Sequence, residues 1–165
     1  MTPQILSRTL LRELDTLRDE IRSYPDERDL WTVPPGVRNS AGNLALHLAG
    51  NLRHFVGGVL GGSGYVRDRE AEFRRRDVPR EEVLALVEAA REEVESALAR
   101  LDPAGLDAEY PLEIVGRRPR TGDFLLHLGA HLAYHLGQID YHRRIVTGRE
   151  GEVRAVAVGA LAADG

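Results

Sequence analysis

The chain has 165 residues, 42% hydrophobic and 29% charged, with 22 basic residues against 26 acidic ones and a net charge of -4. These values suit one globular domain with its own core; they exclude collagen-like, disordered and membrane-embedded classes and argue against a dedicated nucleic-acid binder. Cysteine is absent, so the chain has no disulfide, zinc–cysteine site or thiol nucleophile of its own, and any thiol in its chemistry must arrive as a substrate.

Every basic residue is arginine. That composition fits a GC-rich genome and removes Schiff-base, P-loop and general-base lysines. Met1 to Glu20 carries mixed charge in an amphipathic pattern rather than a signal peptide. No uncharged run approaches the ~18 residues of a membrane span. A cytoplasmic protein with no membrane partner is expected.

The first predicted helix runs from about Pro3 to Ser23. Thr2 caps it, and Leu6, Leu10, Leu14, Leu17 and Ile21 form one stripe. Tyr24-Pro25 ends it, and Pro34-Pro35-Gly36 mark an irregular connection. The second helix runs from about Ala41, after the cap residue Ser40, to Leu60, with Leu44, Leu48, Leu52, Phe55 and Val59 on its apolar face. Gly57 to Gly64 reads as a helix-ending loop, followed by a charged stretch from Tyr65 to Asp77. The third helix runs from about Pro79 to Leu101, with the stripe Val83, Val87, Ala90, Val94, Leu98 and Leu101. The fourth runs from about Gly122 to Thr147, capped by Thr121 and closed by Gly148, with Leu125, Leu128, Leu132, Leu136 and Ile139 inward. Tyr110 to Val115 and Val153 to Val158 read as short extended pieces. Four single-stripe helices predict an all-α four-helix bundle over about residues 4–148, with a short tail over 149–165, all one domain over 1–165. The connections are long enough to allow parallel neighbours.

All six histidines, at 47, 54, 127, 131, 135 and 142, fall on the second and fourth helices. His131 and His135 are four apart, so they share a face one turn removed and can reach one metal ion. A third imidazole from the second helix would leave a coordination position open, the catalytic arrangement rather than the structural one. His47 and His54 compete for that place, and their separation of ~10.5 Å along the axis forbids sharing one ion. His127 is a candidate for supporting His131 from the preceding turn. The chain lacks Glu-x-x-His, His-Glu-x-x-His, Gly-x-Ser-x-Gly, P-loop and dinucleotide fingerprints.

The strings from Asn43 to Arg53 and from His127 to Ile139, above all His131-x-x-x-His135-Leu-Gly-Gln138-Ile139, resemble the DinB/YfiT superfamily of metal-binding bundles. The resemblance implies up-down-down-up connectivity and a homodimer. It also implies one divalent cation on His47, His131 and His135. Characterised relatives use low-molecular-weight thiols, so the expected activity is transfer of such a thiol to an electrophilic small molecule. A metal-dependent hydrolase and a non-enzymatic metal- or ligand-binding bundle are the alternatives. Zinc or nickel is the expected ion, with iron or manganese next, since three imidazoles accept all four. Candidates for substrate contact or for support of the ligands are Asn51, Arg53, His54, Arg67, Arg69, His127 and Gln138. Among them the arginines suit the carboxylates of a thiol cosubstrate, and Gln138 suits a hydrogen bond to a ligand.

Overall fold

The computed structural model describes residues 2–151, 153 and 158–161. Among them are six α-helices and no β-strand. The helices are α1 (Pro3–Arg22), α2 (Ala41–Leu52), α3 (Arg69–Arg74), α4 (Arg80–Ala99), α5 (Pro103–Asp107) and α6 (Thr121–Thr147). No helix among the described residues is long and apolar enough to cross a membrane.

The four long helices form where periodicity places them. The α1 stripe Leu6, Leu10, Leu14, Leu17 and Ile21 is buried, each side chain contributing about 1.5–3 kcal/mol relative to exposure. Thr2 caps α1 by accepting from the Ile5 N–H at 3.3 Å, which satisfies one of the donors that a helix start leaves open. In α4, Val83, Val87, Ala90, Val94 and Leu98 are buried; in α6, Leu125, Leu128, Leu132, Leu136 and Ile139 are. Every residue of α2 is buried, so this helix is enclosed on all sides rather than lying on the surface. Both α1 and α2 pack on α4 and on α6. The pairs that mark these seams are Asp15–Arg91 at 3.1 Å, Glu20–Arg143 at 2.6 Å and Arg53–Glu93 at 2.8 Å.

The second helix differs from its regular prediction. From Arg53 to Leu60 the backbone widens into a π-helix. At its centre α4 presses so close that a Cβ on Gly57 would collide with the Glu93 carboxylate. Gly57 is therefore required by close approach and is not simply a helix breaker. The connections are also less irregular than their composition implies. They hold a 3-10 turn (Glu27–Trp31) and the short helices α3 and α5, begun by the cap residues Asp68 and Asp102.

Thr121 is not the cap of α6 but its first residue, and Arg120 precedes it with no side-chain cap bond. The Thr121 hydroxyl donates instead to the Ala108 carbonyl at 3.1 Å, as does its N–H at 2.9 Å. Capping is lost to a tie between α5 and α6. The stretch Tyr110 to Val115 makes no strand; isolated bridges pair Glu109 with Arg120 and Ile114 with Arg117. The extended piece expected at 153–158 lies largely outside the described residues.

His142 is a structural clasp. Its Nε2–H donates to the Thr32 carbonyl at 2.8 Å, and its Nδ1 accepts from the Tyr24 hydroxyl at 2.8 Å. One ring thus joins α6 to the end of α1 and to the 3-10 turn. Burial holds this imidazole below the ordinary value of 6.5, with the Thr32 bond opposing in part. A histidine depressed in the folded state is stabilising while neutral, and that contribution is lost as pH falls below the unfolded value toward the folded one. Removing the side chain in His142→Ala should cost about 1–3 kcal/mol near neutral pH, since it leaves buried partners unpaired. Urea unfolding between about pH 7.5 and about pH 5.5 should show a shallower acid loss in the variant than in the wild type. Parallel curves would remove His142 from the acid response.

Candidate metal centre

His47, His131 and His135 converge where α2 faces α6. One ligand nitrogen from each lies within 4.8 Å of the others. The ring centroids of His47 are 5.1 Å from His131 and 5.4 Å from His135, and those of His131 and His135 are 4.6 Å apart. The i, i+4 spacing puts the α6 pair on one face, and the enclosed α2 presents His47 opposite.

Two of the three rings are oriented by a second hydrogen bond. His47 Nδ1–H donates to Glu72 Oε2 at 2.9 Å. His135 Nδ1–H donates to Gln138 Oε1 at 2.7 Å. Each bond fixes the tautomer with the proton on Nδ1 and leaves Nε2 of that ring unprotonated. His47 Nε2 lies 3.2 Å from His131 Nε2. Two nitrogens bound to one tetrahedral zinc at 2.0–2.1 Å each would lie about 3.3 Å apart. The residues therefore fit a divalent cation in both donor type and spacing. Burial and the neighbouring His135, His47 and His127 push the His131 imidazole down to about 4. Burial likewise lowers His135, although its bond to Gln138 opposes this. Low proton affinity leaves both nitrogens free to ligate at neutral pH.

Glu72 is the main residue that sequence reasoning missed. It lies on α3, 6% exposed, and also accepts from Arg67 Nε at 2.7 Å and Arg67 Nη2 at 2.8 Å. Burial raises a carboxyl group, but the bonds from His47 and Arg67 and the guanidinium charge outweigh it, so Glu72 titrates below its ordinary value. Its position follows from the start of α2. Ser40 donates to Asn43 Oδ1 at 2.9 Å, and Asn43 Nδ2 donates to the carbonyls of Glu72 and Arg75 at 2.8 and 3.0 Å. This fastens α3 across α2. A Cβ on Gly50 would meet the Glu72 carboxylate, so that glycine makes room for it. A glycine inside an apolar helix was the available signal; its partner stood in a charged stretch that reads as solvated.

The other candidates separate clearly. Arg67 supports Glu72. Arg53 turns away, paired with Glu93 and stacked 4.1 Å over the Tyr65 ring, so it does not line the cleft expected of it. His54 lies against Phe55 at 4.7 Å and outside the three-histidine group. Burial and the Arg67 charge lower its titration. His127 is exposed, stacked between Phe124 at 6.0 Å and His131 at 6.4 Å. Asn51 is buried, and its Oδ1 has no hydrogen-bond partner among the described residues. Arg69 does reach the cleft, a cavity of about 740 Å³ lined by the three histidines with Arg38, Asn39, Glu70, Phe73 and Arg74.

Residues 9–139 match the DinB superfamily. The chain belongs to the DinB superfamily. No curated protein matches it. The match takes in α2, α3 and His131 and His135 of α6, and the superfamily is metal-binding.

Glu72→Ala should weaken zinc affinity about 10–100-fold, the usual cost of losing a ligand's hydrogen-bond partner. Gly50→Ala should act in the same direction by displacing the carboxylate. Competition with a chromophoric chelator measures both. Wild-type affinity in the two variants would show that Glu72 does not orient His47.

Proposed function

We propose that this DinB superfamily protein is a divalent-metal-dependent transferase that moves a low-molecular-weight thiol onto an electrophilic small molecule. One observation carries the reading: three imidazoles converge at an open cleft in a chain with no cysteine. His47, His131 and His135 would hold a divalent cation, which would supply Lewis acidity and lower the pKa of a bound thiol or water. Neutral ligands leave the cation's charge undiminished for stabilising an anion. Glu72 and Gln138 keep the Nδ1 protons of His47 and His135 in place, and Arg67 keeps Glu72 ionised. Phe73, 4.9 Å from His47, forms an apolar wall that limits water on one side. The arginine-rich lining of the cleft favours a small polar reactant over an apolar ligand store.

The same reading takes the chain as one bundle domain with up-down-down-up connectivity. Pairing along the seams supports it. Position 15 of α1 and Tyr24 just beyond its end meet 91 and 80 of α4, and positions 10 and 20 of α1 meet 129 and 143 of α6. His47 and Phe55 meet His131 and Phe124. A homodimer belongs to it too, supported by Leu126, Tyr134, Tyr141 and Ile145, large side chains exposed along α6.

Elemental analysis should find one zinc or nickel per chain in wild type and His54→Ala, and sharp loss in His47→Ala and His131→Ala. Conjugation of a model aryl halide with low-molecular-weight thiols should require the metal. Equal rates from loaded protein, stripped protein and His131→Ala would overturn the transferase reading; metal-dependent ester cleavage without thiol would replace it with a hydrolase. Light scattering should give twice the 18.3 kDa chain mass, and Tyr134→Arg should lower it toward one.

A further inference from the structure

Beside the histidine cleft lies a second cavity, of about 370 Å³. It runs between residues 36–39, in the connection that enters α2, and the C-terminal half of α6. Arg38 and Asn39 line both cavities, so the two adjoin. Their chemistry differs. The walls of the second are Val37, Leu44, Tyr141 and Ile145. His142 completes them, and both of its ring nitrogens are engaged, by Tyr24 and by Thr32, so it offers the cavity only carbon. Polar groups meet these walls on the side toward the histidines. Gln138 stands there, its oxygen accepting from His135 Nδ1 at 2.7 Å. Its two amino hydrogens have no acceptor among the described residues and are free to donate to a ligand.

The groove is built before anything enters it. Pro34 to Val37 form a turn closed by the Val37 N–H on the Pro34 carbonyl at 3.1 Å. Pro35 holds its second position and Gly36, with φ 81°, its third, the arrangement of a type II turn. Val37 is therefore set by backbone geometry. Ser40, bonded to Asn43, anchors the other end of the segment at the start of α2. The His142–Thr32 bond ties the same connection to α6 at 2.8 Å. With both walls fastened to each other, the space between them does not close by collapse, and a ligand loses little to ordering the protein.

We infer that this groove is the subsite for an aromatic ring of the electrophilic reactant, a ring that carries a carbonyl or nitro oxygen toward the Gln138 amide. The inference rests on the reading of the adjoining cleft as the reaction site and names the class of electrophile. An apolar cavity of about 150 Å³ already admits benzene, so the volume suits a substituted ring. Continuity with the cleft commits the groove to a molecule that reaches the histidines. The polar cleft and the apolar groove thus receive different parts of the reaction: the thiol in one, the body of its acceptor in the other.

Methyl and amide NMR of the zinc-loaded protein, titrated with the unreactive probe acetophenone, tests this. The methyl signals of Val37, Leu44 and Ile145 and the side-chain amide of Gln138 should shift together and saturate. Toluene should move the methyl signals, bind more weakly and leave the Gln138 amide in place. Val37→Trp fills the groove from a surface turn. It should weaken acetophenone at least about tenfold, roughly the loss of one apolar side-chain contact, while zinc stoichiometry and thermal melting stay as in wild type. Should it melt early, Ile145→Gln on the exposed face makes the same test. In conjugation assays Val37→Trp should raise KM for an aryl halide and leave KM for iodoacetamide, which has no ring. Acetophenone binding that survives both substitutions, or an equal loss with both electrophiles, overturns the subsite. Signals that shift with protein concentration and not with acetophenone assign the groove to a second copy of the chain and overturn it as well. Acetophenone binding that Val37→Trp abolishes, in a protein that conjugates no electrophile, supports an aromatic site and overturns the transferase reading instead.

Discussion

A buried carboxylate organises this molecule. Glu72 is almost fully removed from water, and an ion placed there without partners would cost several kcal/mol. It is compensated by three donors, one from His47 and two from Arg67. The donors come from α2 and from the loop before α3, so the compensation brings both together with α3, which carries Glu72. Gly50 must stay small to admit the carboxylate, and Asn43 must hold the carbonyl of the same residue. The most buried part of the fold beside the cleft and the orientation of one candidate ligand therefore depend on a single ion.

The consequence for chemistry is a division of labour between helices. The enclosed α2 sets His47, and its second hydrogen bond comes from outside the helix. By contrast α6 supplies both His131 and His135, and Gln138 supports the latter from the same helix at three residues' distance. Metal affinity on the α6 side is thus a local property of one helix, while on the α2 side it depends on tertiary structure. Loosening α3 would leave His135 oriented and the α6 pair in place, with the third imidazole free to rotate.

The sequence is informative where a period or a spacing carries the signal. The stripes of α1, α4 and α6 are the buried ones, because burial against a neighbouring helix is what the 3.6-residue period encodes. The i, i+4 pair at 131 and 135 converges for the same reason. The family string singles out His47 over His54, and the structure brings His47 to the pair. What the sequence conceals is long-range polar pairing. Glu72 and Arg67 stand among seven other charged residues from Tyr65 to Asp77, and charge alone does not say which of them is buried. Arg53 is hidden in the opposite way: its place one turn and a half after His47 suggests the site, but Glu93 on α4 claims it. Thr121 has the composition of a cap but gives both its hydroxyl and its N–H to the Ala108 carbonyl at the end of α5. The widening of α2 after Leu52 leaves no mark except the glycine pair that permits it.

That widening has a bearing on how the protein can change over evolutionary time. A π-helix is equivalent to an α-helix that has absorbed an extra residue without breaking. The stretch from Arg53 to Leu60 begins just after the last turn that carries His47 and Asn51. Upstream of it, the metal-facing turns keep their register with α6; downstream, the chain rolls over α4 through Gly57 and enters the loop that delivers Arg67. Insertions or deletions within this segment would be absorbed as a rotation of everything that follows it. They would alter the angle at which the Arg67 loop and α3 cover the cleft and leave the histidines where they are. The segment is thus a natural point at which a bundle of this kind can acquire a new cover over the same three histidines.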